Sequence, residues 1–530
     1  MTGRLWVLLL LVLAISCRST SSSKTSQVLR INIQCEPVSL DPRKARDLNA
    51  VTMMHMLFEG LARIGKDGRA QLAMAESVAV SEDGLRYSFR LREASWSNKE
   101  KITSADFAES WRKILDPAFP TDLAYQLYVI KGAKKAKTGE ISPQEVEIQT
   151  PDSRTLIVEL EQPTPYFLEL LTFPSFFPVY QPLDAQNPHW AEDPATYVSN
   201  GPFKLTKWKH SDRVFVERNG SYWDAGSVSL KGIEMVMIQP ETELRMFLDG
   251  DLDWAGSPLS NLPIDALNNL KRNETLRVQP LSGTYILRVN TADSSLLSQP
   301  LFRRALALAL NRQKIAEHIL QGGQIPAQAL VPPMMGLAPS GYFADASFSE
   351  AQTLLSTVLK QNGQETSDIG PITLLYVAQE RNHLIAQTVQ KQIEAVLGMN
   401  IQLEAVERKM FFERLSKKKY QLAAGSWIAD FGDPINFLEV FKYKDGSSNN
   451  TGWEMPKYIE RLNSSAVCRD EEERKSILRE AEQLLMDQMP VIPIFHFSLN
   501  YLQQEEVKDV CLSPIGQIDF RWSHIEEPTR

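Results

Sequence analysis

Hydrophobic residues recur along the chain with two different periods. In residues 87–91 and 156–160 every second residue is apolar, which predicts half-buried β-strands. Phe107 and Trp111 instead follow the spacing of an α-helix, behind the capping residue Thr103. Strand and helix patterns alternate in this way along the chain without a fixed repeat period, which favours a mixed α/β fold over a solenoid.

Longer helices are predicted in the second half of the chain. A strand is predicted at residues 401–403, and an apolar stretch occupies 491–497. Proline-rich connections near 163–194 and 326–339 mark the expected boundary zones. Three segments have helical periodicity and end at residues that stop helices: 301–320 before Gly322-Gly323, 385–396 before Gly398, and 471–489 before Pro490.

The amino terminus has the pattern of an export signal. Arg4 precedes the apolar run 5–15, which has the length of a signal-peptide core and is too short for a spanning helix. Residues 13–17 (LAISC) resemble a bacterial lipobox, although Ala14 stands where leucine is usual. We therefore expect a signal peptide at 1–16, acylation of Cys17, and a flexible lipidated tether at 17–28. The alternative is a signal followed by a chance cysteine.

Composition and charge narrow the class of protein. A chain of 530 residues is expected to form about two to four hydrophobic cores. With 43% hydrophobic and 23% charged residues, it has the usage of a folded globular protein. The net charge of −8, from 57 basic and 65 acidic residues, disfavours nucleic acid as a partner.

The sequence carries none of the common local motifs for catalysis or metal binding. The sequence lacks a G-x-S-x-G elbow, a Walker lysine loop and an H-E-x-x-H helix, and no two histidines stand three or four residues apart. Cys35, Cys468 and Cys511 form no C-x-x-C pair, so they are interpreted as structural thiols, with one disulfide left open. Neither a metal nor a cofactor is predicted. Dispersed acidic residues leave an exported hydrolase as an alternative.

An ordered set of short segments resembles a known family, the bacterial extracellular solute-binding proteins of family 5 that serve peptide ABC transporters (the OppA-like group). The chain departs from that family's pattern at 99–101 and at Gly220, where relatives commonly have a glycine turn and a proline. The matching segments are 36–42 (EPVSLDP), 57–61 (LFEGL), 96–97 (WS), 102–107 (ITSADF), 110–112 (SWR), 200–203 (NGPF), 221–223 (SYW), 302–306 (FRRAL), 311–312 (NR) and 427–434 (WIADFGDP).

The resemblance implies a two-lobed periplasmic-binding-protein fold (type II, cluster C) with an extra domain inserted in the first lobe. It also implies a monomeric, lipid-anchored receptor on the periplasmic side of the cell envelope. Such a receptor captures oligopeptides, passes them to an inner-membrane ABC permease, and is not an enzyme. The expected division is lobe I at 29–60, 197–279 and 498–530, the additional domain at 61–196, and lobe II at 280–497.

By the same resemblance, residues 426–429 form the strand that pairs with the peptide main chain, through Ser426, Trp427, Ile428 and Ala429. Trp427 also supplies an apolar wall, and Asp430 binds the peptide ammonium. The local sequence alone allows another interpretation, in which Asp430 caps a turn and Trp427 belongs to the core.

Further contacts are expected from both lobes. Val38 and Ser39 should contribute backbone groups from the facing segment, which a simple lobe edge would explain equally well. Tyr285 and Tyr125 lie in regions that line the cleft in relatives, although core packing also accounts for them.

The carboxylate end of the peptide is less defined by the resemblance. Some relatives have a basic residue three positions before the cleft tryptophan, where this chain has Ala424. Arg408 and His383 lie in segments that supply pocket residues in relatives, and either could accept that charge instead of being a solvated surface residue. The missing contact leaves open peptides of other lengths or murein-type peptides, and the same fold also binds nickel chelate or haem in relatives.

Overall fold

The computed structural model describes residues 27–293, 295–338, 340–446 and 448–527. The predicted signal peptide, Cys17 and the tether as far as residue 26 lie outside this range. The strands are β1 (Val28–Asn32), β2 (Ala62–Ile64), β3 (Ala70–Leu72), β4 (Ala75–Val80), β5 (Arg86–Leu91), β6 (Ile148–Asp152), β7 (Thr155–Glu159), β8 (Phe203–Lys209), β9 (Arg213–Arg218), β10 (Gly232–Val236), β11 (Trp254–Gly256), β12 (Arg277–Val289), β13 (Ile325–Pro326), β14 (Ile372–Val377), β15 (Ile401–Val406), β16 (Leu422–Ile428), β17 (Val491–Gln503), β18 (Val507–Lys508), β19 (Cys511–Leu512), β20 (Ile518–Asp519) and β21 (His524–Ile525).

Helices alternate with these strands, so the predicted mixed α/β class is confirmed. They are α1 (Leu48–Leu57), α2 (Ser104–Leu115), α3 (Ala133–Lys137), α4 (Phe167–Leu170), α5 (Gln181–Gln186), α6 (Pro240–Leu248), α7 (Ile264–Arg272), α8 (Pro300–Leu308), α9 (Arg312–Lys314), α10 (Phe348–Asn362), α11 (Glu380–Leu397), α12 (Arg408–Ser416), α13 (Ile435–Leu438), α14 (Pro456–Val467) and α15 (Glu471–Gln488).

One large sheet runs through the molecule in the order β15-β14-β16-β12-β17-β11-β1-β10-β9-β8, with β13 added on β17. We call β1, β8, β9, β10 and β11 the first half-sheet, and β14, β15 and β16 the second half-sheet. The first half-sheet combines β1 with strands from residues 203–256, so it does not fold from one continuous segment. The strands of the second half-sheet all lie within residues 372–428.

Strands β12 and β17 join the two half-sheets. Each has 13 residues, and they pair antiparallel from Arg277 opposite Tyr501 to Arg288 opposite Val491. Their register shifts between Pro280 and Thr284, which interrupts the ladder where the chain passes from one half to the other. The predicted lobe boundaries, 279/280 and 497/498, fall at this step, and the division into lobes stays a prediction.

A separate four-stranded sheet, β4-β5-β7-β6, forms within the segment predicted as the additional domain. Helix α2 begins after Thr103, whose side chain and that of Asp106 form a capping box, as the sequence predicts. The buried ring of Trp111 donates from Nε1 to the Phe176 carbonyl (2.9 Å). The apolar periodicity of this segment therefore fixes the helix face that packs into the core.

The structure differs from the predicted helix over 301–320 and answers the question of a disulfide. The helix predicted over 301–320 was wrong in its middle, because α8 ends at Leu308 and a new helix starts at Arg312 before a π-helical turn at Ile315–Leu320. Asn311 accounts for the break, since its side chain accepts the Lys314 N–H (2.9 Å) and caps the second helix. Cys35, Cys468 and Cys511 are all free, so the disulfide left open by the sequence does not form.

Strands β14, β15 and β16 are parallel to one another. Helix α11 follows β14 and helix α12 follows β15, so the loops at the carboxyl ends of these strands share one edge of the sheet. Open parallel sheets bind ligands in the crevice outside that edge. The segment after β16, which begins with Ala429 and Asp430, lies at the same edge.

Candidate functional site

Strand β16 has one paired edge and one largely unpaired edge. Along β12 it is paired from Leu422 to Ile428. On the other side, within the described residues, β14 pairs only with Leu422 and Ala423. The stretch from Ala424 to Ile428 therefore has an open edge, which we call the free edge of β16. An open edge of this kind can accept an added strand.

The direction of the backbone groups on this edge follows from one hydrogen bond. The Ala429 N–H donates to the Ser282 carbonyl (2.8 Å), so residue 429 points its backbone groups toward β12. Backbone groups alternate along a strand, and those of Ser426 and Ile428 therefore point outward. Both residues are exposed. Of the predicted residues 426–429, the first three form the end of β16, where the outward groups of Ser426 and Ile428 can pair with a ligand. Ala429 follows the strand, is buried, and directs its N–H to β12.

Asn436, which sequence reasoning missed, holds the end of β16 in place. Its side-chain oxygen accepts hydrogen bonds from Trp427 Nε1 (3.0 Å) and from the Asp430 N–H (3.2 Å). Asn436 is buried in α13, after the Asp433-Pro434 pair that begins that helix turn. Nothing in the local sequence distinguishes it from an ordinary first-turn asparagine. Trp427 is partly buried, so its indole is fixed by this bond rather than enclosed in the core.

Asp430 is a partly buried carboxylate without a cationic partner among the described residues. Burial raises the pKa of its carboxyl above the usual range, and a hydrogen bond with the Asn436 side chain offsets only part of that shift. The ionised form is thus less stable here than in water. A cation placed beside Asp430 would remove this penalty.

The segment predicted as the additional domain contacts the loop after β16. Tyr166 stacks on Phe431 with ring centroids 4.7 Å apart, and its hydroxyl donates to Glu439 Oε2 (3.1 Å). Tyr125 lies near Asp430. Although 53% of Tyr125 is exposed, partial desolvation of its phenol and the negative charge of Asp430 raise its pKa to about 12. The structure thus brings Tyr125 together with Asp430, as a cleft residue requires.

Tyr285 on β12 lies opposite Ser426. Its ring stacks on that of Phe495, with the ring centroids 5.0 Å apart, and only 5% of Tyr285 is exposed. Its hydroxyl has no hydrogen-bond partner in the part of the chain that the structure describes. A buried phenol usually finds a partner, so this one is available to a ligand or a water molecule.

The other predicted contacts are more exposed. Val38 is 67% exposed, and its N–H already donates to Asp47 Oδ2 (3.0 Å). The Ser39 hydroxyl accepts the Asp41 N–H (3.1 Å). Val38 could therefore offer a ligand its carbonyl rather than its N–H.

Arg408 and His383 lie just beyond the carboxyl ends of β15 and β14. The Arg408 guanidinium stands 5.5 Å from the centre of the Phe412 ring, and His383 Nδ1 is 2.6 Å from the Tyr376 hydroxyl. Both residues are exposed. They share the sheet edge with Asp430, but in the described part of the chain no hydrogen bond or ion pair links either of them to it.

A cavity of about 1030 Å³ adjoins this site. It lies between loops of the predicted additional domain, Ser282 on β12, the 431–434 loop and helix α15. Its lining includes Phe431 and excludes residues 426–430, so it borders the free edge of β16 without containing it.

Among the described residues no helix is long and apolar enough to cross a bilayer. The same residues contain no cluster of three or more His, Cys, Asp or Glu side chains that could hold a metal.

Comparison with known proteins identifies the family. The profile of the bacterial extracellular solute-binding proteins, family 5, matches residues 69–449. This chain belongs to that family. Over 506 residues it is 40% identical to the oligopeptide-binding protein OppA of Bacillus subtilis, covering 94% of this chain and 93% of the relative.

Solved structures of family members agree with the fold. The unliganded open form of the periplasmic murein tripeptide-binding protein MppA superimposes with a TM-score of 0.81 at 26% identity, covering 94% of this chain and 98% of that one. Peptide-bound OppA of Listeria monocytogenes gives 0.74 at 26% identity, covering 94% and 99%. At equal identity the TM-score is higher for the unliganded open form of MppA than for peptide-bound OppA.

Proposed function

We propose that this chain is the substrate-binding component of a peptide ABC importer. It captures extended oligopeptides between its two halves and delivers them to the permease without altering them. The observation that carries the proposal is the free edge of β16, which ends at a carboxylate without a cationic partner among the described residues, in a member of the solute-binding family. The Bacillus subtilis relative, at 40% identity, has oligopeptide binding in its name, which supports the same cargo.

Main-chain recognition suits the geometry of the free edge. The outward backbone groups of Ser426 and Ile428 can exchange hydrogen bonds with an extended peptide, whatever its side chains. Peptides of many sequences then bind with similar geometry, while pockets beside Trp427 and Tyr285 accommodate their side chains. Val38 and Ser39 would approach the same peptide from the first half when the cleft closes.

The peptide ammonium is the cation that Asp430 lacks. An ammonium beside this carboxylate forms charge-assisted hydrogen bonds and restores the stability of the ionised form. Tyr125 borders the same position and would help to enclose the amino terminus. The polarity of the bound peptide follows, with its first residue at Asp430 and its later residues along β16 toward Ala424.

We further infer that the mature protein is monomeric and anchored on the periplasmic side of the cell envelope through lipid on Cys17. The LAISC pattern at 13–17 and the polar stretch that follows it support this anchor. Intact-mass measurement of protein produced in a bacterium tests it: a diacylglyceryl modification at Cys17 is expected, and an unmodified cysteine would contradict the anchor.

Calorimetric titration with short unmodified peptides tests the proposed function. Saturable binding of one peptide per protein is expected, with the peptide recovered intact afterwards. Murein peptides, nickel chelates and haem are titrated in parallel, because the same fold could carry them. The proposal fails if no peptide binds, or if cleavage products accumulate beyond one equivalent, as they would with an exported hydrolase.

A further inference from the structure

Arg288 on β12 is a buried cation without an acidic partner. Only 8% of the residue is exposed, and in the described part of the chain it forms no ion pair. Burial lowers the pKa of its guanidinium, which nearby Tyr420 and Tyr285 only partly oppose. Such a charge is costly unless a partner neutralises it.

The position of this guanidinium is set by a glycine. Arg288 and Gly425 lie on the same face of the sheet, because they oppose Ala423 and Ile286 respectively. A Cβ at Gly425 would stand 2.8 Å from Arg288 Nη1, so only the absence of a side chain leaves room for the arginine. The Arg288 side chain thereby reaches the free edge of β16, where Nη2 donates to the outward Ser426 carbonyl (3.1 Å).

Arg303 shows what a structural arginine looks like in this protein. It is also buried, and no carboxylate pairs with it among the described residues. Its Nε, Nη1 and Nη2 atoms, however, donate to the carbonyls of Leu297, Ser298 and Gln488. Arg288 has the same five N–H donors, and among the described residues it forms one side-chain hydrogen bond, from Nη2 to the Ser426 carbonyl. A ligand at the free edge of β16 could therefore engage its other donors.

We propose that Arg288 binds the α-carboxylate of a short peptide whose ammonium is held by Asp430. This inference rests on the proposed peptide-binding function and names the residue that closes the other end of the site. Some relatives have a basic residue at the position on β16 where this chain has Ala424. Arg288 on β12 would supply that positive charge instead. A carboxylate at the free edge would neutralise the buried guanidinium and occupy its unused donors in a bidentate pair.

The spacing of the two charges defines a peptide length. From Asp430 back to Ser426 is four residues of extended chain, or about 13 Å at roughly 3.3 Å per residue. A peptide of three or four residues spans that distance with its ammonium at one end and its carboxylate at the other. Longer peptides would run past Arg288 and leave their carboxylate near the exposed Arg408 and His383.

Paired titrations of one tripeptide, with a free carboxylate and as its amide, test this assignment. Both forms keep the free amino terminus that Asp430 needs. Wild-type protein should bind the free acid about ten- to a hundredfold more tightly than the amide, as expected for a charge-assisted pair. In Arg288→Gln the acid should bind no better than the amide, and amide binding should stay within about threefold of wild type. Arg272→Gln, which removes an exposed charge in helix α7, is the matched control.

A second variant keeps the charge but moves it. Gly425→Ala places a Cβ against Nη1, so it should reduce the preference for the acid at least threefold even if Arg288→Gln folds poorly. For peptides of six or more residues, Arg288→Gln should leave the ratio of acid to amide affinity unchanged, because their carboxylate lies beyond Arg288. Equal binding of acid and amide by the wild type, or equal losses of both in the variants, would overturn the role of Arg288 and leave the proposed function intact. Failure of the wild type to bind either form would overturn both.

Discussion

Replacing Asp430 by asparagine isolates the charge at the proposed amino-terminal end of the peptide. Asparagine preserves the size of the side chain and can keep its contact with Asn436. The free energy at stake is that of a charge-assisted hydrogen bond, about 1.5 to 3 kcal/mol. Because about 1.4 kcal/mol corresponds to a factor of ten, the affinity for a tripeptide with a free amino terminus should fall roughly tenfold to 150-fold.

The assay is calorimetric titration of wild-type protein and Asp430→Asn with one tripeptide and its N-acetylated form. The acetylated peptide carries no ammonium, so its affinity should be nearly the same for both proteins. Asp445→Asn, which changes an exposed aspartate in the same half of the molecule, should behave as wild type. If Asp430→Asn weakens both peptides equally, Asp430 acts on the structure of the loop and not on the ammonium.

The pH dependence provides an independent check of the same carboxylate. The pKa of Asp430 is raised in the empty site, and an adjacent ammonium would lower it. Binding therefore favours the ionised form, so affinity should fall as pH decreases through the raised pKa. Asp430→Asn should lose this dependence. An identical pH profile in the variant would assign the titration to another group.

Three stability predictions follow from buried groups elsewhere. Burial raises the pKa of Glu482 to about 7, so stability should fall by up to about 3 kcal/mol as pH rises from about 4.5 to 7, and urea unfolding of Glu482→Gln should lack that loss. Burial lowers the pKa of His496 to about 3, so through this residue each pH unit of acidification between about 6.5 and 3 should cost about 1.4 kcal/mol of stability. Replacing it in His496→Gln should reduce the slope of stability against pH by that amount, and an unchanged slope would contradict the assignment. At Gly201 a Cβ would stand 2.4 Å from the Leu57 carbonyl carbon, so Gly201→Ala should destabilise by about 1 to 3 kcal/mol or more, and an unchanged thermal midpoint would refute this.

Local periodicity was sufficient to predict much of the secondary structure. Helix α2 follows from the spacing of Phe107 and Trp111 and from the capping box at Thr103, all encoded within a few residues. Helix 301–320 was predicted as continuous because its apolar pattern persists across Asn311. The structure breaks it there, since the Asn311 side chain competes for a backbone N–H.

The site could be predicted only in part. Ordered segments pointed to residues 426–430, but the free edge of β16 depends on how far β14 extends alongside it, which no local pattern encodes. Arg288 did carry a sequence signal, as one charged residue in the apolar run 286–289. That no described carboxylate pairs with it, and that it reaches the free edge across Gly425, depends on contacts more than a hundred residues apart, which only the structure shows.

A crystal structure of the protein with a free tripeptide tests the central claim most directly. The account predicts that the peptide lies as an added strand on β16, with main-chain hydrogen bonds to Ser426 and Ile428. Its ammonium should stand about 3 Å from the Asp430 carboxylate. A peptide bound in the neighbouring cavity, with the free edge of β16 left unpaired, would contradict the account.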